Sequence, residues 1–196
     1  MARPRSGIRV GLLGGSFNPA HRGHRHVSLI ALSRLRLDCV WWLVSPQNPL
    51  KPAADMAPMA ERVAGARVLA GHPRIHVCTA EAWLGTRRSV DTLARLLPMF
   101  PRHRFVWLMG ADNLAEIPHW HRWQAIFAAL PVAVFDRPAY TAAALGGRAA
   151  SRYRRDRVST AAAYTLADRA PPAWTFVWAP HDATAAREIR GRDSAA

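Results

Sequence analysis

Six short apolar runs, separated by stretches of helical periodicity, constrain this chain more than any other feature. Ile8 to Leu13, Cys39 to Val44, Ile75 to Cys78, Phe105 to Met109, Val132 to Phe135 and Trp174 to Trp178 read as strands. Between the first four lie stretches long enough for crossover helices. Arg22 to Leu37 places Val27, Ile30, Ala31 and Leu35 at helical spacing, and Pro58 to Ala70 does so with Met59, Val63, Ala66 and Leu69. Val90 to Leu97 is expected to end before Pro98. Strand, helix and strand in repetition predict an α/β fold, a Rossmann-like parallel sheet with helices on both faces. With 196 residues, half of them apolar, residues 1–196 are expected to form a single domain around one core of ordinary size. Ligands of such sheets bind beyond the carboxyl ends of the strands.

The run Leu12-Leu13-Gly14-Gly15-Ser16-Phe17-Asn18-Pro19-Ala20-His21-Arg22-Gly23-His24 falls at that edge. Gly14 and Gly15 are expected to let the backbone turn sharply and approach a ligand closely. A helix then begins near Pro19 to Arg22, and its free N–H groups and positive dipole end suit a phosphate. His21 and His24, three apart, put both imidazoles on one helical face, with Gly23 between them leaving room for a ligand.

This run is similar to the HxGH motif of the nucleotidylyltransferases, and the longer match, GGSFNPAHRGH, most resembles the bacterial nicotinate-nucleotide adenylyltransferase family. Five further patches fall in that family's order. Ser45-Pro46-Gln47-Asn48-Pro49-Leu50-Lys51 resembles a proline-bounded loop ending in a basic residue, and Lys51 is the chain's only lysine. Arg88-Ser89-Val90-Asp91-Thr92-Leu93 resembles a Ser/Thr-x-Asp-Thr-Leu patch at a helix start, where Ser89 also suits an ordinary N-cap. Gly110-Ala111-Asp112-Asn113 resembles the family's Gly-Ala-Asp turn, and Trp120 with Trp123 its Trp-x-x-Trp segment, the two rings on one helical face and Trp123 the more core-like. His181-Asp182-Ala183-Thr184-Ala185-Ala186-Arg187 is similar to an Ile-Ser-Ser-Thr-x-Ile-Arg patch, with Asp182 and Ala183 in place of two serines.

The resemblance implies transfer of the adenylyl group of ATP to nicotinate mononucleotide, giving deamido-NAD and pyrophosphate, with Mg²⁺ carried by the ATP phosphates. It implies catalytic roles for His21, His24, Lys51 and Arg187. Gly14, Gly15, Ser16, Phe17, His21, Gly23, His24, Gly110, Asp112, Thr184 and Arg187 are the implied ATP contacts. Ser16, Phe17, Asn18, Lys51, Ser89, Thr92 and Trp120 are the implied contacts to nicotinate mononucleotide, with Trp120 stacked on the pyridine ring. No metal-binding residue is implied, and His21, His24, His119 and His121 lack a convincing four-ligand zinc set. Other acceptors served by the HxGH core, nicotinamide mononucleotide or phosphopantetheine, stay open, although the tryptophan and Ser-Val-Asp-Thr-Leu patches tell against the latter.

A formal net charge of +14 raises nucleic acid as a partner, yet a positive field serves phosphate-rich small substrates equally well. Arg148, Arg152, Arg154, Arg155 and Arg157 lie in a region, Arg137 to Pro172, that reads as a partly ordered connection. Only Tyr153 interleaves them, so they read as a solvated face rather than an RNA site. Cys39 and Cys78 sit in strand-like runs and are expected to be buried free thiols. The apolar run after Arg3 and Arg5 is too short for a signal-peptide core, and no stretch approaches the roughly 20 apolar residues of a membrane span. A cytoplasmic location is the expectation, with monomer and homodimer both open.

Overall fold

A computed structural model describes residues 7–46, 56–137 and 139–178. Its frame is a seven-stranded, all-parallel sheet of order β3-β2-β1-β4-β5-β7-β6. The strands are β1 (Arg9–Gly15), β2 (Cys39–Val44), β3 (Ile75–Cys78), β4 (Arg104–Gly110), β5 (Val132–Phe135), β6 (Arg157–Val158) and β7 (Trp174–Val177). The helices are α1 (Arg22–Arg34), α2 (Met59–Ala70), α3 (Ala80–Trp83), α4 (Ser89–Met99), α5 (Ala111–Glu116), α6 (Gln124–Ala129), α7 (Thr141–Gly146) and α8 (Arg148–Arg152).

Continuous apolar strands give both faces of the sheet something to bury, and each face carries its own core. On one, Val10, Leu12, Phe105, Trp107, Val132 and Phe176 pack under α4, α5 and α6 through Leu93, Leu96, Leu114, Ile126 and Phe127. On the other, Leu13, Val40, Trp42, Leu108 and Phe135 pack under α1 and α2 through Ala31, Leu32, Leu35, Val63 and Ala66. Chain order runs outward from β1 in one direction through β2 and β3, then from β4 in the other. The carboxyl ends of β1 and β4 therefore flank the point where the topology reverses, the expected ligand crevice of such a sheet.

The strand expectations agree with the structure except for β6, whose two residues are too few to leave a pattern. Three local readings need correction. The helix α4 runs through Pro98 to Met99 instead of ending at Leu97, because only one residue follows the proline before the helix ends. Residues 139–172 are ordered: α7 and α8 meet at Gly147, a 3₁₀ helix spans Thr160–Asp168, and Trp174 Nε1 donates to the Tyr153 carbonyl at 2.8 Å. Asp168 further anchors the segment by accepting from Arg9 at 2.7 Å and from Arg104, at the amino ends of β1 and β4. The five arginines are exposed, as expected of a solvated face. Third, Cys39 and Cys78 are free, but half-buried rather than buried.

Candidate active site

Gly14 and Gly15 do not form the turn. They are the last residues of β1, paired with Leu43 and Val44 of β2, and neither is among the residues with positive φ. What requires glycine at position 14 is close approach across the sheet: a Cβ there would lie 2.8 Å from Cη2 of Trp107. The chain turns instead at Phe17, whose φ of 47° is left-handed for a bulky residue. Phe17 is also corrected as a side-chain ligand contact. Its ring is 1% exposed, stacks on Trp42 at 5.0 Å and lies 4.6 Å from the ring of His24. It supports the site from beneath.

The helix α1 starts one residue later than a two-histidine first turn requires, so His21 is its N-cap and His24 its third residue. The pair nonetheless converges, with ring centroids 3.9 Å apart. The His21 backbone N–H donates to Nδ1 of His24 at 3.2 Å, and the His24 N–H donates to the His21 carbonyl at 2.9 Å. Gly23 makes room for His21, not for a ligand: a Cβ at 23 would lie 2.9 Å from His21 Nδ1. Behind the pair, Ser28 Oγ donates to the His24 carbonyl at 2.8 Å and accepts from Trp42 Nε1 at 2.8 Å, both residues fully buried.

That seat fixes the chemistry of His24. Burial first, then the neighbouring His21 and Arg137, push its pKa down from 6.5 to about 3, so the ring is neutral at physiological pH. Because Nδ1 accepts a hydrogen bond, the proton of the neutral ring belongs on Nε2. His24 is thus a fixed hydrogen-bond donor rather than a cation, beside the N-terminal N–H groups of a 13-residue helix.

Across the crevice, Gly110 ends β4 and caps α5, and Asp112 stands in the first turn of that helix. One carboxylate oxygen of Asp112 pairs with Arg137, while Oδ1 is buried with no hydrogen-bond partner among the described residues. A Cβ at Gly110 would collide with that oxygen, which explains the glycine. An unsatisfied buried acceptor at this edge suits a hydroxyl donor from a ligand. Arg137, absent from the sequence expectations, links the two sides, since it holds Asp112 and also helps keep His24 neutral.

The acceptor-side expectations fare less evenly. Arg88, not Ser89, is the N-cap of α4, and Ser89 is its first residue. The Thr92 side chain is turned inward: it is 1% exposed, and its hydroxyl donates to the Arg88 carbonyl at 3.1 Å and lies 2.8 Å from that of Thr86. Trp120 and Trp123 do not share a helical face. Trp120 follows a 3₁₀ turn in extended conformation, Arg122 has φ of 49°, and Trp123 opens α6. Trp123 is buried in the core and Trp120 is half-buried against it. Ser16 and Asn18 are half-buried in the β1 loop, where Asn18 Oδ1 accepts from the Ala57 N–H at 3.2 Å. Lys51, Thr184 and Arg187 lie outside the described residues, as do Asp182 and Ala183.

Two charged residues of this edge escaped the sequence reading. Arg62 of α2 is 4% exposed and donates to four backbone carbonyls, those of Ser16, Ser45, Pro46 and Ala57. Glu81 of α3 is equally buried, hydrogen-bonds the Ser45 side chain, and has its carboxyl pKa pushed up by burial. An arginine or glutamate within a helical pattern looks like a solvent-facing residue, so no sequence signal marked either one.

The family model described as cytidylyltransferase-like matches residues 12–179. A probable nicotinate-nucleotide adenylyltransferase of Methylorubrum extorquens strain PA1 is 51% identical over 185 residues, covering 94% of this chain and all of that protein. Its namesake from Cereibacter sphaeroides strain ATCC 17025 is 54% identical over 171 residues, 87% of this chain and 90% of its own. Among solved structures, Plasmodium falciparum nicotinic acid mononucleotide adenylyltransferase complexed with NaAD superposes with a TM-score of 0.68 over 94% of this chain and 83% of that one, at 13% identity, a likeness of fold. The chain belongs to the cytidylyltransferase-like family and, within it, to the nicotinate-nucleotide adenylyltransferases.

Proposed function

We propose that this chain transfers the adenylyl group of ATP to the 5′-phosphate of nicotinate mononucleotide, releasing pyrophosphate and forming deamido-NAD. The observation that carries this reading is the locked pair His21 and His24 at the start of α1, beside the topological reversal of the sheet. A phosphate oxygen of the mononucleotide attacks the α-phosphorus of ATP in line, and the bond to pyrophosphate breaks. The attacking phosphate is already largely ionised near neutrality, since its second pKa is about 6, so no general base is needed. The protein's task is to align two anions and stabilise charge growing on the leaving group.

His24 serves this task by donating from Nε2, with no proton to lose or gain at working pH. The α1 N–H groups and His21 share the triphosphate, with Lys51 and Arg187 supplying full positive charge. Asp112 Oδ1 accepts a ribose hydroxyl of the adenosine. Ser89, at the start of α4, and Trp120 serve the mononucleotide, the indole lying against its pyridine ring. Mg²⁺ would come with ATP and would supply charge neutralisation on its phosphates. The described residues offer no group of three His, Cys, Asp or Glu side chains to hold an ion, whereas phosphates and water are ordinary ligands for Mg²⁺. No described helix is long and apolar enough to cross a membrane, and a cytoplasmic location with ready ATP belongs to the same reading.

The test is pyrophosphate release from ATP and Mg²⁺ with either nicotinate or nicotinamide mononucleotide as acceptor. Strong preference for the acid is expected. Equal use of both leaves only a pyridine-nucleotide adenylyltransferase, and release with neither overturns the reading.

A further inference from the structure

The guanidinium of Arg62 is engaged in a way that core packing does not require. Nε donates to the Ala57 carbonyl at 2.9 Å, Nη1 to those of Ser16 at 2.5 Å and Ser45 at 2.8 Å, and Nη2 to that of Pro46 at 3.0 Å. None of the ion pairs among the described residues includes it. A buried cation whose whole complement of acceptors is backbone carbonyl is costly to keep, and the fork geometry needed to span these carbonyls excludes lysine. The carbonyls belong to the loop leaving β1, the loop leaving β2 and the entry to α2, all on the carboxyl edge of the sheet.

The connection to the histidines is short. Ser16 precedes Phe17, the residue held at a left-handed φ, and the Phe17 ring lies against His24. Two further ties run in parallel, from the Ser45 N–H to the Gly15 carbonyl at 2.9 Å and from the Ala57 N–H to Asn18 Oδ1 at 3.2 Å. Among the described residues, Arg62 reaches both loops and the helix entry at once.

We infer that Arg62 is a positioning residue for nucleotidyl transfer: by clasping the β1 and β2 loops together it holds Ser16 and Phe17 in place, and through them the seat of His24. This rests on the reading of the β1 loop and α1 as the nucleotide site. Misplacement of a donor by about 1 Å lowers a rate about a hundredfold, so the clasp acts on turnover as well as on folding.

The experiment compares Arg62→Lys, Arg62→Met and a control, Val63→Ala, which weakens the same helix at a buried core position. For each, thermal unfolding, initial rates with varied ATP and varied nicotinate mononucleotide, and the NMR titration of the His24 ring are measured. Both Arg62 variants are expected to be folded at the assay temperature, to lose about a hundredfold in kcat/KM, and to show His24 titrating nearer its ordinary range. Val63→Ala is expected to lose stability while keeping kcat/KM and the His24 midpoint. Retained kcat/KM and an unshifted midpoint in Arg62→Lys overturn the inference. Unfolding of both Arg62 variants also overturns it, by making the residue a determinant of folding alone. If the wild-type protein releases no pyrophosphate, the functional reading fails instead, and the His24 midpoint still reports whether the clasp exists.

Discussion

The loop leaving β1 and the acceptor-side segments from Ser89 to Trp120 are built on opposite principles. In the first, almost every residue is held by another: Gly14 lies against Trp107, Phe17 stacks on Trp42, His24 is seated by His21, Phe17 and Ser28, and the Ser16 carbonyl is held by Arg62. In the second, Thr92 has spent its hydroxyl on Thr86 and Arg88, and Trp120 is half-buried in an extended stretch between two turns. The difference teaches where rate and selectivity reside. Donors that stand ready before a ligand arrives stabilise charge without reorganising, which lowers the barrier. On the proposed reading, a side chain with fewer constraints, such as that of Trp120, would contribute contact to the bound mononucleotide, which would appear in KM.

Five expected outcomes bear on that contrast. The largest effect is expected from His24→Ala, with kcat lower by about 10²–10³ and a far smaller change in thermal stability, measured by pyrophosphate release and calorimetry. Equal losses in both regions' variants would erase the distinction. Gly14→Ala forces a methyl group against the Trp107 ring and is expected to cost about 1–3 kcal/mol in urea unfolding. Were Gly14 a turn glycine, the substitution would disturb the loop and leave Trp107 fluorescence as it is in the wild type.

The depressed pKa of His24 sets a pH dependence whose sign is fixed. The unfolded chain binds a proton at this residue below about pH 6.5 and the folded chain only near pH 3, so folded stability is full above the upper value and declines through that window as pH falls. At about pH 5 the loss from this residue is roughly 2 kcal/mol. Denaturant unfolding of wild type and His24→Gln across pH 5 to 8 is expected to show that slope in the first and its loss in the second. The smallest effects belong to the acceptor side. Trp120→Ala is expected to raise KM for the mononucleotide about two- to tenfold with KM for ATP unchanged. Thr92→Val is expected to cost about 1 kcal/mol of stability and leave both KM values alone, because its hydroxyl faces Thr86.

Much of this was legible in the chain. The apolar strand runs left little choice of sheet, and the spacing of His21 and His24 announced a paired site at the edge where the topology reverses. What was not legible is what depends on contacts far apart in sequence. Gly14 reads as a turn until Trp107, 93 positions later by the difference of their numbers, is seen beside it. Sequence gives residue type without orientation, so nothing in it told that the side chains of Phe17 and Thr92 point inward. Arg62 resembles any helical arginine until its four carbonyl partners from separate loops are in view. β6 and the helices of residues 137–172 are too short and too rich in arginine, alanine and glycine to carry periodicity.

A site that works with a neutral, locked imidazole at position 24 is open to ¹⁵N NMR of the histidine rings in the free protein. At pH 7 His24 is expected to be the neutral tautomer protonated on Nε2, with a titration midpoint of about 3. An imidazolium at pH 7, a proton on Nδ1, or a midpoint near 6.5 would contradict it.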